Sequence, residues 1–159
     1  FSMTRRTIGI DCGLNGALAL IVDGELVKVE DMPTVTLTRN GKNKRQVSVP
    51  ELVDIIKDFD PTEAYAEKVF AMAGQGVTSV FSLGRSLGVV EGVLTALRIK
   101  TTLMTPQTWI KAMGVVGGKD GSRARAMELF PKHLALFKRV KDDGRSDASL
   151  IALWGYRNG

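Results

Sequence analysis

Short alternating apolar runs open the chain and helical periods follow them. Thr7-Ile-Gly-Ile10 and Ala17-Leu-Ala-Leu-Ile-Val22 have strand character, and Asp23-Gly24 turns the second into Leu26-Val-Lys-Val29. An Asp-Gly pair between apolar alternations is a strong hairpin signal. After a polar excursion, Ser48-Val-Pro-Glu51 opens a helix with an apolar face of Leu52, Val53, Ile55, Ile56 and Phe59, stopped by Pro61. Thr62 to Glu67 reads as a fourth strand. A helix has intervened, so this strand runs parallel to the first. Gln75-Gly76 is a loop, and the longest helical pattern runs from about Val77 to Leu97. It carries Gly84, Gly88, Gly92 and Ala96 at four-residue steps. Each glycine costs a helix about 1 kcal/mol, so close packing of this face, within the chain or between subunits, is expected. Ile99 to Met104 is a fifth strand, Pro106 to Met113 a short helix, Gly117 to Gly121 a loop, Ser122 to Phe130 a helix, and Ser146 to Trp154 the last helix. Three antiparallel strands, then strands alternating with helices, predict an α/β fold with a mixed five-stranded sheet flanked by helices.

Charge adds a direction. There are 22 Lys and Arg against 17 Asp and Glu, a formal +5, which leans toward nucleic acid or is only a basic surface. The bases cluster. Arg39-Asn-Gly-Lys-Asn-Lys-Arg45 is too polar to join a core and reads as a loop or hairpin tip able to touch phosphates; Lys138-Arg-Val-Lys141 is a second cluster. One cysteine, Cys12, and one histidine, His133, leave no intramolecular disulfide and no zinc site of the usual cysteine- or histidine-rich kind. No stretch of ~20 apolar residues is free of charge, so no membrane span is expected. No secretory signal is visible, and a reducing cytoplasm fits. The 159 residues suit one domain. Phe1-Ser2, ahead of Met3, reads as an expression scar.

The chemistry lies in acids at the edges of apolar segments. Asp11 ends the first strand among Gly9, Gly13 and Gly16; Glu67 ends the fourth; Asp147 precedes Ala148 and Leu150-Ile-Ala-Leu-Trp154. A carboxylate in or near a buried row is costly unless paired or bound to a cation. Each also has a plainer reading. Asp11 can be a turn aspartate bonding the amides of Gly13 or Leu14, Glu67 a solvated strand end, and Asp147 an acid favoured by a helix dipole. Asp143 and Asp142 lie four and five residues before Asp147. Taken together these acids suit two Mg²⁺ or Mn²⁺ ions, which activate water against a phosphodiester. Cys12 sits beside Asp11, whose charge disfavours a thiolate. Trp109 reads as a core or helix anchor or a base-stacking platform, and His133 as a surface-turn residue with no catalytic work.

Four separated blocks carry a resemblance. Gly9-Ile-Asp-Cys-Gly-Leu-Asn-Gly-Ala-Leu-Ala19, Ala66-Glu-Lys-Val-Phe-Ala71 with Gly76-Val-Thr-Ser-Val-Phe81, Pro106-Gln-Thr-Trp-Ile-Lys111, and Asp142-Asp-Gly-Arg-Ser-Asp-Ala-Ser-Leu-Ile-Ala152 resemble, in order and spacing, a RuvC-type Holliday-junction resolvase. The order and spacing resemble in particular the bacteriophage-encoded forms. The resemblance implies an RNase H-like fold and a homodimer acting on four-way DNA junctions with divalent metal. Paired symmetric nicks would leave 5′-phosphate and 3′-hydroxyl ends, in the host cytoplasm if the chain is phage-encoded. It implies Asp11, Glu67, Asp143 and Asp147 as catalytic and metal-binding acids, with Asp142 as substitute for Asp143, because the position three before Asp147 is Gly144. Cys12 stands where proline is common in that family. Phe70 takes the place of an aromatic that stacks near the junction centre, unless it is a core residue. Arg39, Lys42, Lys44, Arg45, Lys111, Lys119, Arg123 and Arg125 are the candidate DNA-binding bases. Two other functions fit the same residues: a broader nuclease on forks, flaps, loops or RNA–DNA hybrids, and a non-catalytic DNA-binding module.

Overall fold

A computed structural model describes residues 4–68 and 70–159, with the side chain of Lys119 outside the description. Phe1-Ser2, read as a scar, also lie outside the described residues. The chain runs β1 (Arg6–Asp11), β2 (Ala17–Val22), β3 (Glu25–Asp31), β4 (Thr34–Arg39), β5 (Lys42–Val47), α1 (Val49–Phe59), β6 (Glu63–Glu67), α2 (Val77–Ala96), β7 (Lys100–Met104), α3 (Pro106–Ala112), α4 (Gly121–Leu129) and α5 (Asp143–Asn158). Short 3-10 turns at Gly118–Asp120, Pro131–Leu136 and Val140–Asp142 bracket α4 and lead into α5.

The main sheet has five strands in the order β3-β2-β1-β6-β7. β1, β2 and β3 pair antiparallel, whereas β6 and β7 join parallel to β1. This is an RNase H-like α/β sheet. Asp23 and Gly24, both at positive φ, make the tight β2–β3 turn. Period two along β1 decides what each face meets. Ile8 and Ile10 join Leu18, Leu20, Leu52, Ile56, Val90 and Leu94 under α1 and α2. The opposite face packs Ala17, Ala19, Ile21 and Tyr65 under α3, α4 and α5.

Three elements depart from the sequence reading. Arg39–Arg45 is a hairpin tip as read, but its strands extend further than the reading took them, into a two-stranded sheet of β4 with β5, turned at Asn40-Gly41 and standing apart from the main sheet. α5 begins at Asp143 instead of Ser146, so Asp143 and Asp147 lie one turn apart on one helix. The glycine stripe of α2 does not pack within the chain: a Cβ built on Gly84, Gly88 or Gly92 meets nothing within 4 Å. Only Ser86, Val90, Val93 and Leu94 of that helix are buried. By length and composition α2 is apolar enough to cross a membrane, but it carries Arg85 and Glu91 and packs on α1 and β7.

Candidate active site

Register brings the first two acids together. Ile10 pairs with Ala66 across the parallel β1–β6 ladder, so Asp11 and Glu67, one residue further on each strand, end side by side. α5 delivers the other two. It crosses β1 so closely that a Cβ on Gly9 would lie 2.3 Å from both the Ala148 carbonyl oxygen and the Ala152 nitrogen. Its first turn touches the β1–β2 turn, where a Cβ on Gly144 would lie 2.3 Å from the Asn15 carbonyl oxygen. No residue with a side chain fits at 144 without moving that turn, so a fourth acid cannot sit there. Asp143 and Asp147 are thereby carried to the ends of β1 and β6. All four acids are half-buried.

Asp11, Glu67 and Asp147 feel the charge of neighbouring acids. Burial pushes Asp11 above the ordinary aspartate range; the Gly13 N–H, donating to Oδ1 at 3.1 Å, pulls it back, and the charge of Asp143 raises it again. The turn-aspartate bond and the cluster therefore coexist. Glu67 is raised by burial and by Asp11, and lowered by a hydrogen bond from Trp109. Asp147 is pushed up to about 7, first by burial, with the Ser122 hydroxyl opposing and Asp11, Glu67 and Asp143 adding to the rise. Burial and the charges of Asp11, Glu67 and Glu91 push the Cys12 thiol up, which removes it as a nucleophile.

Neighbouring side chains separate the two candidates for the fourth acid. Asp142 is fully buried and held by Arg139, whose main-chain N–H and Nη2 each donate to it at 2.9 Å, with Arg145 3.6 Å away. Burial pushes Asp142 up, but the Arg139 bonds and both guanidinium charges carry it below the ordinary range. It is an ion-paired clamp at the start of α5. Asp143 is different. Arg123 Nε lies 3.4 Å from its Oδ1, near enough for charge attraction but not aligned as a hydrogen bond, and both atoms are buried without a hydrogen-bond partner.

Trp109 is the core anchor on a helix that the sequence suggests, and it has a further role. It is 1% exposed in α3, and its indole Nε1 donates to Glu67 Oε2 at 2.7 Å. Buried indole N–H groups take partners, so a tryptophan on a helix facing a strand-end acid was the available signal.

The donor set suits a hard divalent cation in kind: carboxylate oxygens only, largely desolvated, one of them without a partner. In spacing it does not close as it stands. Among the described residues no group of three or more His, Cys, Asp or Glu is drawn together enough to hold an ion. Like charges at ligand spacing repel unless a cation joins them.

Burial of Asp147, with the charges of Asp11, Glu67 and Asp143 added, has a measurable consequence without metal. Unfolded, Asp147 ionises near the ordinary value of ~4; folded, near 7. Below the first value both states are protonated and no penalty arises. Between the two the native state holds a proton that the unfolded state has released, so stability falls as pH rises, and above the second the loss is complete. Asp147→Asn lacks this loss. In EDTA its urea stability should exceed that of wild type by a margin that widens from about pH 4 to about pH 8, reaching on the order of a few kcal/mol. A margin independent of pH would show that Asp147 ionises normally.

The candidate DNA-binding residues fall into separate places. Arg39, Lys42, Lys44 and Arg45 are exposed on the β4–β5 hairpin. Arg45 ties that hairpin to the turn after Asp11, donating to Asn15 Oδ1 at 2.9 Å and the Leu14 carbonyl at 3.1 Å. Lys111 is exposed on α3. Arg123 sits against Asp143, whereas Arg125 bonds the Met113 carbonyl at 2.7 Å and pairs with Glu128 at 2.9 Å, away from the acids. The Lys119 side chain lies outside the described residues. Phe70 is 54% exposed, three residues past Glu67, with Lys68 Nζ 5.5 Å from its ring centre, and it is not a core residue.

No family model matches the chain. It is 33% identical over 92 residues to the chloroplastic Holliday junction resolvase MOC1 of Chlamydomonas reinhardtii, a stretch of 57% of this chain and 10% of that protein. The chain thus spans about a tenth of the curated relative it matches. Its fold is similar to that of T. thermophilus RuvC in complex with a Holliday junction substrate, with TM-score 0.63 and 15% identity over 97% of this chain and 94% of that one. It is also similar to the fowlpox virus Holliday junction resolvase, with TM-score 0.54 and 13% identity over 96% and 98% of the two chains. At these identities the likeness to both structures is one of fold.

Proposed function

We propose that this chain is a divalent-metal-dependent endonuclease that resolves four-way DNA junctions by paired, symmetric phosphodiester hydrolysis. The observation that supports this most is that two adjacent strand ends and one helix turn direct four half-buried carboxylates to one region, where Asp147 feels the charges of the other three, in a fold similar to that of a RuvC bound to a Holliday junction substrate. Asp11, Glu67, Asp143 and Asp147 would hold Mg²⁺ or Mn²⁺, two ions per site. Such ions, when bound, lower the pKa of coordinated water and offset charge on the phosphodiester. The chain's own residues do the positioning. The Gly13 amide and the Trp109 indole fix the carboxylates of Asp11 and Glu67. Arg123 offsets charge beside Asp143. The hairpin bases grip phosphates without regard to sequence, and exposed Phe70 supplies a surface for an unstacked base. The four quoted sequence blocks support a phage-encoded form.

The test is cleavage of end-labelled four-way, three-way, flap, hybrid and plain duplex substrates in Mg²⁺ and in Mn²⁺. Symmetric, ligatable nicks in four-way junctions support resolution. Equal cutting of flaps or hybrids identifies a broader nuclease, and binding without cutting identifies a DNA-binding module.

Coordinated nicks need two sites related by a two-fold axis, so the chain would act as a homodimer. The outer face of α2 supports this: Val77 is 86% exposed, and Gly84, Gly88 and Gly92 border open space. Gly88→Leu should keep the fold, because a Cβ built there meets nothing within 4 Å among the described residues, and the helix gains up to about 1 kcal/mol in propensity. It should sediment as a monomer at micromolar concentration where wild type sediments as a dimer. An unchanged dimer would move the subunit contact elsewhere.

A further inference from the structure

A groove separates the β4–β5 hairpin from the first half of α2. At one end is a cavity of about 230 Å³ walled by Leu14, Leu37, Phe81 and the cations Arg39, Lys44 and Arg85, with no acid on its wall. The Nη1 atom of Arg85 is buried there without a hydrogen-bond partner. A buried guanidinium N–H without an acceptor is expensive, and a ligand oxygen would satisfy it. Phe81 is 66% exposed, and Lys44 Nζ lies 5.8 Å from its ring centre. The groove continues as a second, more open cavity of about 490 Å³, lined by Asn43 and the hydroxyls of Thr78, Ser79 and Ser82. Leu14 and Arg45 line both cavities and also a third of about 460 Å³, which reaches Asp143. The first two cavities, which share Leu14, Lys44, Arg45, Ser82 and Ser86, form one trough, and the third lies across Leu14 and Arg45 from it, toward Asp143.

We propose that this trough is a binding site for a single DNA strand, with one unstacked base against Phe81 and its phosphate on Arg85. Apolar walls with an exposed ring suit a base and reject a bare phosphate. Unopposed cations and hydroxyls suit the backbone that follows. A duplex backbone could use the cations on the rim, but not a cavity sized for one ring. The proposal rests on the nucleic-acid reading above and goes beyond it by fixing where an unpaired strand enters.

The experiment uses short oligodeoxynucleotides, each with one 5-iododeoxyuridine, bound in EDTA, irradiated and mapped by peptide mass spectrometry. Binding of the same strands, and of plain duplex, is measured for wild type, Phe81→Ala and Arg85→Ala. The expected results are a crosslink at Phe81 and single-strand binding weakened about tenfold or more in each variant, with duplex binding within about twofold of wild type. A crosslink confined to other residues, or variants that bind single strands as wild type does, overturns the proposal. So does tighter binding of the matching RNA strand. The crosslink is read on wild-type protein, so a variant that folds poorly does not blunt the test. A Phe81 crosslink in a protein that cuts no substrate would uphold the groove and overturn the nuclease. Failure of wild type to bind any nucleic acid would overturn both.

Discussion

Asp11→Asn is expected to reduce junction cleavage by roughly 10³-fold or more while leaving junction affinity within a few-fold of wild type. Asparagine keeps the shape of the side chain, and its carbonyl oxygen can still accept the Gly13 N–H that meets Asp11 at 3.1 Å. What disappears is a charge held between Glu67 and Asp143. Without metal that charge is a liability, since burial and Asp143 raise the Asp11 pKa. The variant should therefore melt at a higher temperature than wild type in EDTA, and Mn²⁺ should raise its melting temperature less, because a ligand that binds only the native state stabilises in proportion to its occupancy. Cleavage assays at saturating protein, with melting curves in EDTA and in Mn²⁺, read all three effects. Cleavage within threefold of wild type would remove Asp11 from the chemistry. An equal loss of binding and cleavage would point instead to metal bridging protein and DNA.

The sheet was legible because its signals are local and mutually consistent. Asp23-Gly24 between apolar alternations, and a helix between the first and fourth runs, dictate antiparallel then parallel pairing. The acids were legible as anomalies, carboxylates beside apolar runs. Contacts between distant backbones were not. Gly9, Gly144 and Gly155 look like ordinary strand, loop or helix glycines, yet a Cβ at each would lie within 2.4 Å of another element. The regular four-residue glycine stripe of α2 drew the packing reading instead, and within the chain it faces open space. Periodicity reveals a face without revealing what lies opposite. The β4–β5 sheet was hidden for another reason. Thr34-Val-Thr-Leu-Thr38 alternates and Asn40-Gly41 is a hairpin turn pair, but the returning strand Lys42-Asn-Lys-Arg-Gln46 has no apolar row and both strands are mostly exposed, so the polarity of the run outweighed its alternation. Trp109 and Asp142 share that limit: the partners that define them are Glu67, in another element, and a local arginine whose direction the sequence does not give.

Gly9→Ala is expected to be one of the most damaging single methyl groups among the described residues. The new Cβ would stand 2.3 Å from the Ala148 carbonyl oxygen and the Ala152 nitrogen and 2.7 Å from the Ala152 Cα, all main-chain atoms of α5. No rotamer change relieves a backbone contact, so α5 must lift from β1 or the strand must bend. Overpacking of this kind typically costs 1–3 kcal/mol, and the rigid partners here place it at about 3 or above. The melting temperature should fall by on the order of 10 °C. Activity should fall further than stability explains, because α5 carries Asp143 and Asp147 to the ends of β1 and β6, and a shift of about 1 Å misplaces both relative to Asp11 and Glu67. Gly84→Ala is the paired control. Its Cβ enters open space on a helix, so it should be neutral or gain up to about 1 kcal/mol. Denaturant melts of both variants, with cleavage measured well below the lower melting temperature, separate stability from placement. If Gly9→Ala lies within 1 kcal/mol of wild type and cuts normally, the close seat of α5 on β1 is not what holds the acids together.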